Sequence, residues 1–335
     1  MPMYDPGAMF TDPILTDFSV GYQSPLFYGL RMLPETPVNT ASGIYRVWDR
    51  SNRVYFLSRR EPGTVANEVR GGRWSTDTFK TVQHALQAAV ADEEDMELQT
   101  QGGYANPAFG GDFDIDPHED AAALVFDSLQ LEHELTAAAL LRNTATYPAG
   151  HTVTLLAADQ WDNYAGATSN PIDVLRAAIL KIESKIGVKP NRLLMSTFGQ
   201  NWLENHPDMV ARFQNFSLTD PEAFRKLVGF DGELVLVQDD WYNANDILEA
   251  TESLTAIWGK DVILAYVNPQ LTLRDLSFGK TFAQIWPDGS TRPTDRWREE
   301  SRMSDMVRTH WKWDLKITSS IAGYLIKDAF GSTAW

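Results

Sequence analysis

Six histidines are the first residues to test for chemistry: His84, His118, His133, His151, His206 and His310. No two of them stand at HxxxH or HExxH spacing, so no helix turn presents a pair of imidazoles to a metal ion. Glu132-His133-Glu134 reads as the solvated side of a helix. Gly279-Lys280-Thr281 looks like the end of a phosphate loop, but the position that must be glycine is Arg274. Asp92-Glu93-Glu94-Asp95 lacks the glycine and ligand spacing of a calcium loop and reads as an acidic strand end. Asp239-Asp240 follows a buried strand and reads as a loop cap. No Gly-x-Ser-x-Gly elbow and no Gly-x-Gly-x-x-Gly after a strand is present. The chain has no cysteine, which removes disulfides and thiolate ligands. No catalytic residue, metal ligand or cofactor site is assigned. The balance moves from an enzyme toward a structural or binding protein.

The elements explain why so little chemistry converges. Residues 1–43 carry six prolines and little periodicity, and read as an extended arm. Residues 44–57 and 76–90 read as the two strands of a long flap, with Val82, Leu86, Ala88 and Val90 on one side. The stretch between them has almost nothing to bury, and isolated two-stranded ribbons are marginal in water. Asp116-Pro117 opens a long helix to about Arg142, with Leu124, Ser128, Leu131 and Leu135 as its apolar stripe. From 150 to 270 strands and helices alternate. Ile172, Leu175, Ile179, Ile182 and Ile186 form one strict helical stripe, stopped by Gly187. Arg192–Ser196, Leu234–Val237 and Val262–Tyr266 read as short buried strands. A helix is read over about 198–213. Late in the chain Trp311, Trp313, Leu315 and Ile317 alternate with polar residues. That strand, followed by Tyr324-Leu325-Ile326, reads as closing a sheet begun at 81–90.

Charge is sorted along the chain. Between Arg46 and Lys80 eight basic groups face four acids, a balance of 8 − 4 = +4. Residues 81–141 hold thirteen acids and no Lys or Arg. Two readings stay open: two solvated faces that differ by chance, or a basic flap that meets the acidic helix of another copy. The net charge of −16 argues against a sequence reader of nucleic acid, yet not against a container for it. The N-terminus MPMYDPGAMF shows no export signal, and no apolar run reaches the ~18 residues of a membrane span, so no membrane partner is expected.

Proline-rich arm, basic flap, acidic helix, α/β module and returning strands occur in an order that resembles the major capsid proteins of tailed phages, the Hong Kong 97 (HK-97) fold. GVKPNRLLMSTFGQNWLENHPDMVARF (187–213) is similar to that family's helix–strand–helix, with its Leu-x-x-His-Pro step at Leu203, His206 and Pro207. TFKTVQHALQAAVADEEDMEL (78–98) and VRTHWKWDLKITSSIAGYLIKDA (307–329) resemble the return strand of its extended loop and its closing strands.

The resemblance implies an α+β class with an N-terminal arm at 1–43 and an extended β-hairpin loop at 44–80. It implies a P domain at 81–149 plus 291–335, a spine helix at 116–142, and an α/β A domain at 150–290. It implies self-assembly into the icosahedral head of a tailed phage, around double-stranded DNA held without sequence-specific contacts. The virion would be its location and the host cytoplasm its place of assembly. Its partners would be copies of itself in hexamers and pentamers, a portal protein, and a cement or decoration protein. The short arm leaves scaffolding to a separate protein or to none. The candidate inter-subunit contacts are Arg53, Arg59, Arg60, Arg70 and Arg73 against Glu119, Asp120, Asp127, Glu132 and Glu134. The loop has arginines only, with Lys80 at its base, so no lysine-to-asparagine weld is expected. The rivals are an encapsulin-like compartment with a protein cargo and, more remotely, a soluble α/β hydrolase or ligand-binding protein.

Overall fold

The computed structural model describes residues 10–13, 15–16, 27–47, 55, 58–66, 75–93, 117–164, 168–212, 225, 228–238, 241–243, 254–268 and 276–331. Among the described residues the first elements are the two-residue strand β1 (Phe10–Thr11), the single turn α1 (Gly29–Met32) and β2 (Glu35–Val38). β3 (Ser42–Val47) and β4 (Ser75–Lys80) then pair antiparallel, from Ser42↔Lys80 to Val47↔Ser75. This is the base of the flap. Tyr45 and Phe79 anchor it by packing on Phe282, and the Tyr45 hydroxyl donates to Asp77 at 2.9 Å.

The strand read over 76–90 is two strands. Thr81 donates both its backbone N–H and its hydroxyl to Ala41 O. β4 therefore stays with the flap, while β5 (Val82–Ala91) enters a different sheet. The side with Val82 and Leu86 is not a core face along its whole length. Val82 is 56% and Leu86 42% exposed, and only Val90 is buried.

α2 (Pro117–Leu141) is the long helix. Its proposed N-cap, Asp116, lies outside the described residues. The stripe Leu124, Ser128, Leu131 and Leu135 is not the buried one: Leu124 is 65% exposed and Ser128 is exposed. The buried face carries Ala122, Val125, Phe126, Leu129, His133, Ala137, Ala138 and Leu141. Alanines lie there because the helix rests directly on β5 and on a strand that follows it late in the chain. Small side chains permit that close approach.

The α/β module follows in the expected order. After β6 (Thr152–Thr154), α3 (Pro171–Ile186) is capped as its sequence dictates. The Asn170 side chain accepts from Asp173 N, Pro171 takes the first turn, and Gly187 closes the helix at φ 77°. Ile172, Leu175, Ile179, Ile182 and Ile186 are all buried. β7 (Arg192–Ser196) leads into α4 (Thr197–Glu204), and Pro207 starts a separate α5 (Pro207–Arg212). The single helix read over 198–213 is thus broken at the His-Pro step, where proline cannot continue a hydrogen-bond ladder. The remaining strands are β8 (Glu233–Val237), β9 (Trp241–Asn243), β10 (Leu254–Ala256), β11 (Val262–Ala265), β12 (Gly279–Gln284), β13 (Thr294–Glu299), β14 (Ser304–Ile317) and β15 (Gly323–Lys327).

Two larger sheets result. In the first, β14 is central: β5 lines one edge over 304–313, and β13 and β12 follow one another along the other. β2 adds parallel to β12, and β1 adds antiparallel to β13. The second has the order β6-β15-β11-β7-β8. The closing strand β14 does return to β5. β15 does not; it lies between β6 and β11 because Ile326, Leu325 and Tyr324 pair with Val262, Ile263 and Leu264. β12, in the stretch read as A domain, sits in the sheet of β14. One apolar core runs from α2 through Trp311 and Trp313 into α3, β7 and β11.

Candidate subunit interface

The loop arginines and the helix acids were the residues to locate. Arg59 and Arg60 lie in an exposed stretch, 58–66, that turns at Pro62-Gly63 with Gly63 at φ 85°. Tyr55 is 85% and Val65 93% exposed in the same loop. Arg53, Arg70 and Arg73 lie outside the described residues. On α2, Asp120 is exposed, and Glu119 and Asp127 are half-buried. Glu132 points outward but already has an intrachain partner, His84 Nδ1 at 3.0 Å.

Glu134 is not an interface residue. It is 1% exposed. Its carboxylate accepts the backbone N–H groups of Tyr28 at 2.9 Å and Gly29 at 2.6 Å, and the Trp258 indole N–H at 2.6 Å. A carboxylate needs such donors once water is removed. Here they come from the root of the N-terminal arm and from the approach to β11. A Cβ on Gly29 would fall 2.6 Å from Glu134 Oε2, so a larger residue there would have to displace the carboxylate from its donors.

His133 is equally misread as solvated. It is 1% exposed, stacked on Trp311 at 4.9 Å and edge-on to Trp313 at 5.0 Å. The Thr281 hydroxyl donates to Leu33 O at 2.8 Å, so its oxygen accepts from His133 Nε2 at 3.1 Å. Burial, with Arg292 and then His84 nearby, pushes the imidazole down to about 3, and it stays neutral. The helical spacing Phe126, Leu129, His133, Ala137 was the available signal for this burial.

The other histidines are also occupied structurally. His310 binds Asp295 at 2.8 Å and Gln83 at 3.0 Å, His151 meets Gly323 O at 2.9 Å, and His118 meets Arg296 at 2.9 Å. Ser169, His206 and Asp208 come nearest to a nucleophile–base–acid set. Yet Asp208 N donates to His206 Nδ1, so Nε2 holds the proton and faces Ser169 Oγ at 3.1 Å as a donor. The Ser169 hydroxyl donates to Gln160 O. This set is a structural pin. Gly279-Lys280-Thr281 is strand, not phosphate loop. Asp92 pairs bidentately with Arg298, while Glu94, Asp95, Asp239 and Asp240 lie outside the described residues. Among the described residues no group of three His, Asp or Glu could hold a metal ion, and no helix is long and apolar enough to cross a membrane.

No protein-family model matches the chain. It is 26% identical over 335 residues to the major capsid protein of Burkholderia phage BcepMu, covering 96% of this chain and 97% of that one. Among solved structures, a phage-related protein from Bordetella bronchiseptica RB50 superposes with a TM-score of 0.73 at 23% identity, covering 96% of this chain and 98% of that one. The capsid of cyanophage P-SCSP1u gives 0.54 at 8% identity, covering 88% of this chain and 86% of that one. A virus-like particle from Pyrococcus furiosus gives 0.50 at 13% identity, covering 93% and 96%.

These superpositions give the fold as that of the HK-97-type shell proteins, with the flap, the long helix and the two sheets as its parts. Within that class, the chain is similar from end to end to one phage major capsid protein.

The depressed His133 has a consequence for acid stability. The unfolded chain takes up a proton near the ordinary histidine value of about 6.5, while the folded chain resists until about 3. The unfolded state therefore binds more protons in that window, and stability falls as pH falls through it. The contribution is intact above about 6.5. Urea midpoints of the subunit should decline from pH 6.5 to 4, and the decline should be shallower in His133→Gln. Equal slopes in the two proteins would contradict the burial argument.

Proposed function

We propose that copies of this chain associate as hexamers and pentamers into the icosahedral head of a tailed phage and enclose its double-stranded DNA. The observation that carries this reading is the full-length similarity to a phage coat protein on an HK-97 fold. The flap supports it: nothing among the described residues covers the 58–66 stretch, which is exposed throughout. A neighbouring copy supplies the cover, with Arg59 and Arg60, and by sequence Arg53, Arg70 and Arg73, reaching the outward acids of α2. Asp120 is the best-placed acid, with Glu119, Asp127 and Glu132 beside it and Glu134 withdrawn. Arginine's planar fork suits such pairs. The net charge of −16 suits a wall that confines DNA without gripping it. The sheet of β14 with α2 corresponds to a P domain, and the sheet of β11 with α3 to an A domain. A portal protein, a separate scaffolding protein and a cement protein complete the partners, and assembly takes place in the host cytoplasm. The role is structural rather than enzymatic.

Electron micrographs of the purified protein should show closed particles, and phage-derived particles should carry nuclease-protected DNA. Particles filled with one protein cargo and no DNA would favour the compartment reading instead. Exposed ion pairs contribute only ~0–1 kcal/mol each, so the loop charges act by repetition over many copies. Arg59→Glu with Arg60→Glu should abolish particles while circular dichroism of the subunit stays unchanged; normal particles would refute the charge pairing. Boiled in detergent, natural shells should run as one band near 37.6 kDa. A ladder of covalent oligomers would show that a weld exists despite the arginine-only loop.

A further inference from the structure

Lysine is scarce in this chain and unevenly placed. Three of its ten lysines, Lys181, Lys185 and Lys189, fall within nine residues at the end of α3 and just past it. Residues 171–192 hold five basic groups and two acids, a balance of 5 − 2 = +3 in a chain of net charge −16. Part of this has a local cause, since cations near a helix C-terminus answer its dipole. The dipole does not account for where the side chains converge. Lys181 and Lys185 stand four residues apart, about 6 Å along the helix, off the buried stripe of Ile179, Ile182 and Ile186.

Lys181 Nζ reaches back to the turn before β6, 3.4 Å from where a Cβ on Gly150 would stand. His151 follows in that turn. Its Nδ1–H donates to Gly323 O at 2.9 Å, so Nε2 keeps a lone pair. That lone pair has no partner among the described residues, although His151 is 1% exposed. Burial above all, then Lys181 and Lys185, hold the imidazole below its ordinary range, against the opposing bond to Gly323. The positive charge at this spot therefore belongs to the two ammonium groups. Neither makes an ion pair among the described residues, while Lys189 makes an exposed one with Asp231 at 3.3 Å.

The residue type narrows the partner. Where this fold pairs a carboxylate closely it uses arginine, at Arg142, Arg292, Arg296, Arg298 and Arg308. Lysine is a mobile point charge that meets phosphate without a fixed fork geometry. A row of such charges fits a polymer of closely repeated negative charge, and one strand of duplex DNA carries a phosphate about every 3.4 Å. We propose that Lys181 and Lys185, flanked by Lys189, form a contact site for the phosphate backbone of DNA. The site rests on the shell reading above and names where an otherwise repelling wall would touch its content. Contacts of this kind carry no sequence information.

Acetylation of lysine amines, read by mass spectrometry, tests the site in the natural protein. Lys181 and Lys185 should be protected in DNA-filled particles and reactive both in emptied particles and in dissociated subunits. Protection that survives emptying and disappears only in subunits would assign them to a neighbour's carboxylates and overturn the proposal. Protection in the subunits themselves, or full reaction in filled particles, would overturn it too. So would inorganic phosphate that shields them in emptied particles as well as DNA does at equal phosphate concentration, because the site would then take a free anion. Binding of a short labelled duplex to dissociated subunits supplies a second readout. Three engaged lysines predict a slope of about −2.7 in log K against log salt, roughly a 40-fold loss from 50 to 200 mM. Lys181→Gln with Lys185→Gln should reduce that loss to about threefold. An unchanged slope, or no salt-dependent binding by the natural subunit, would contradict the assignment. Absence of particles, or of DNA within them, would instead count against the shell reading itself.

Discussion

Glu134 accepts three N–H donors from two distant parts of the chain, and most of the architecture is referred to that contact. One donor is the indole of Trp258, on the approach to β11; two are backbone groups at the root of the N-terminal arm; the carboxylate itself rides on α2. Two turns further along, Arg142 donates to Asp261 at 2.7 Å and to Ile257 O at 2.8 Å. One residue earlier, His133 seats α2 on Trp311 and Trp313 and binds Thr281 of β12. A single helix thus joins the first sheet, the second sheet and the arm. Leaving a neutral one of these polar groups buried without its partner would cost about 1–3 kcal/mol, and a charged one more. Apolar packing alone would tolerate several orientations of helix and sheets; the fixed geometry of these bonds tolerates far fewer.

The same residues mark the boundary of what could be read from sequence. α3 was legible because isoleucine and leucine recur at helical spacing between a good N-cap and a left-handed glycine, and nothing distant competes. The alternation around Trp311 was legible for a similar local reason. The buried face of α2 was not, because it is built from alanines, a histidine and a glutamate, while the larger Leu124 faces outward. Size and hydropathy point one way there, and the groups that draw His133 and Glu134 inward stand more than a hundred residues away along the chain.

The split between β4 and β5 was hidden for a related reason. The alternating pattern runs on without a break, and only Thr81 bonding back to Ala41 shows where the chain changes sheets. Likewise β15 is as apolar as a continuation of β14 would be. Its place beside β11 is set by pairing across some sixty residues. Of the candidate interface residues, the charge blocks were visible as blocks. Which acids remain available was not, since His84 and Arg298 engage Glu132 and Asp92 within the chain.

That internal use of acid bears on how a shell of such subunits would hold together. If every acid of the 81–141 stretch faced a neighbour, thirteen charges would converge on each contact and association would depend steeply on salt. Instead Arg298 of β13 takes up Asp92, His84 pairs with Glu132, and Glu134 is buried. On α2, Asp120 is exposed, while Glu119 and Asp127 are half-buried. Pairs made to an exposed acid are individually weak and reversible. In the proposed shell such weakness is an advantage: a subunit that docks out of register can leave, whereas one that has docked correctly is retained by the sum of its contacts. An arginine-only loop fits this regime, because it supplies charge and planar hydrogen bonding without the lysine amine that would make a misplaced contact permanent.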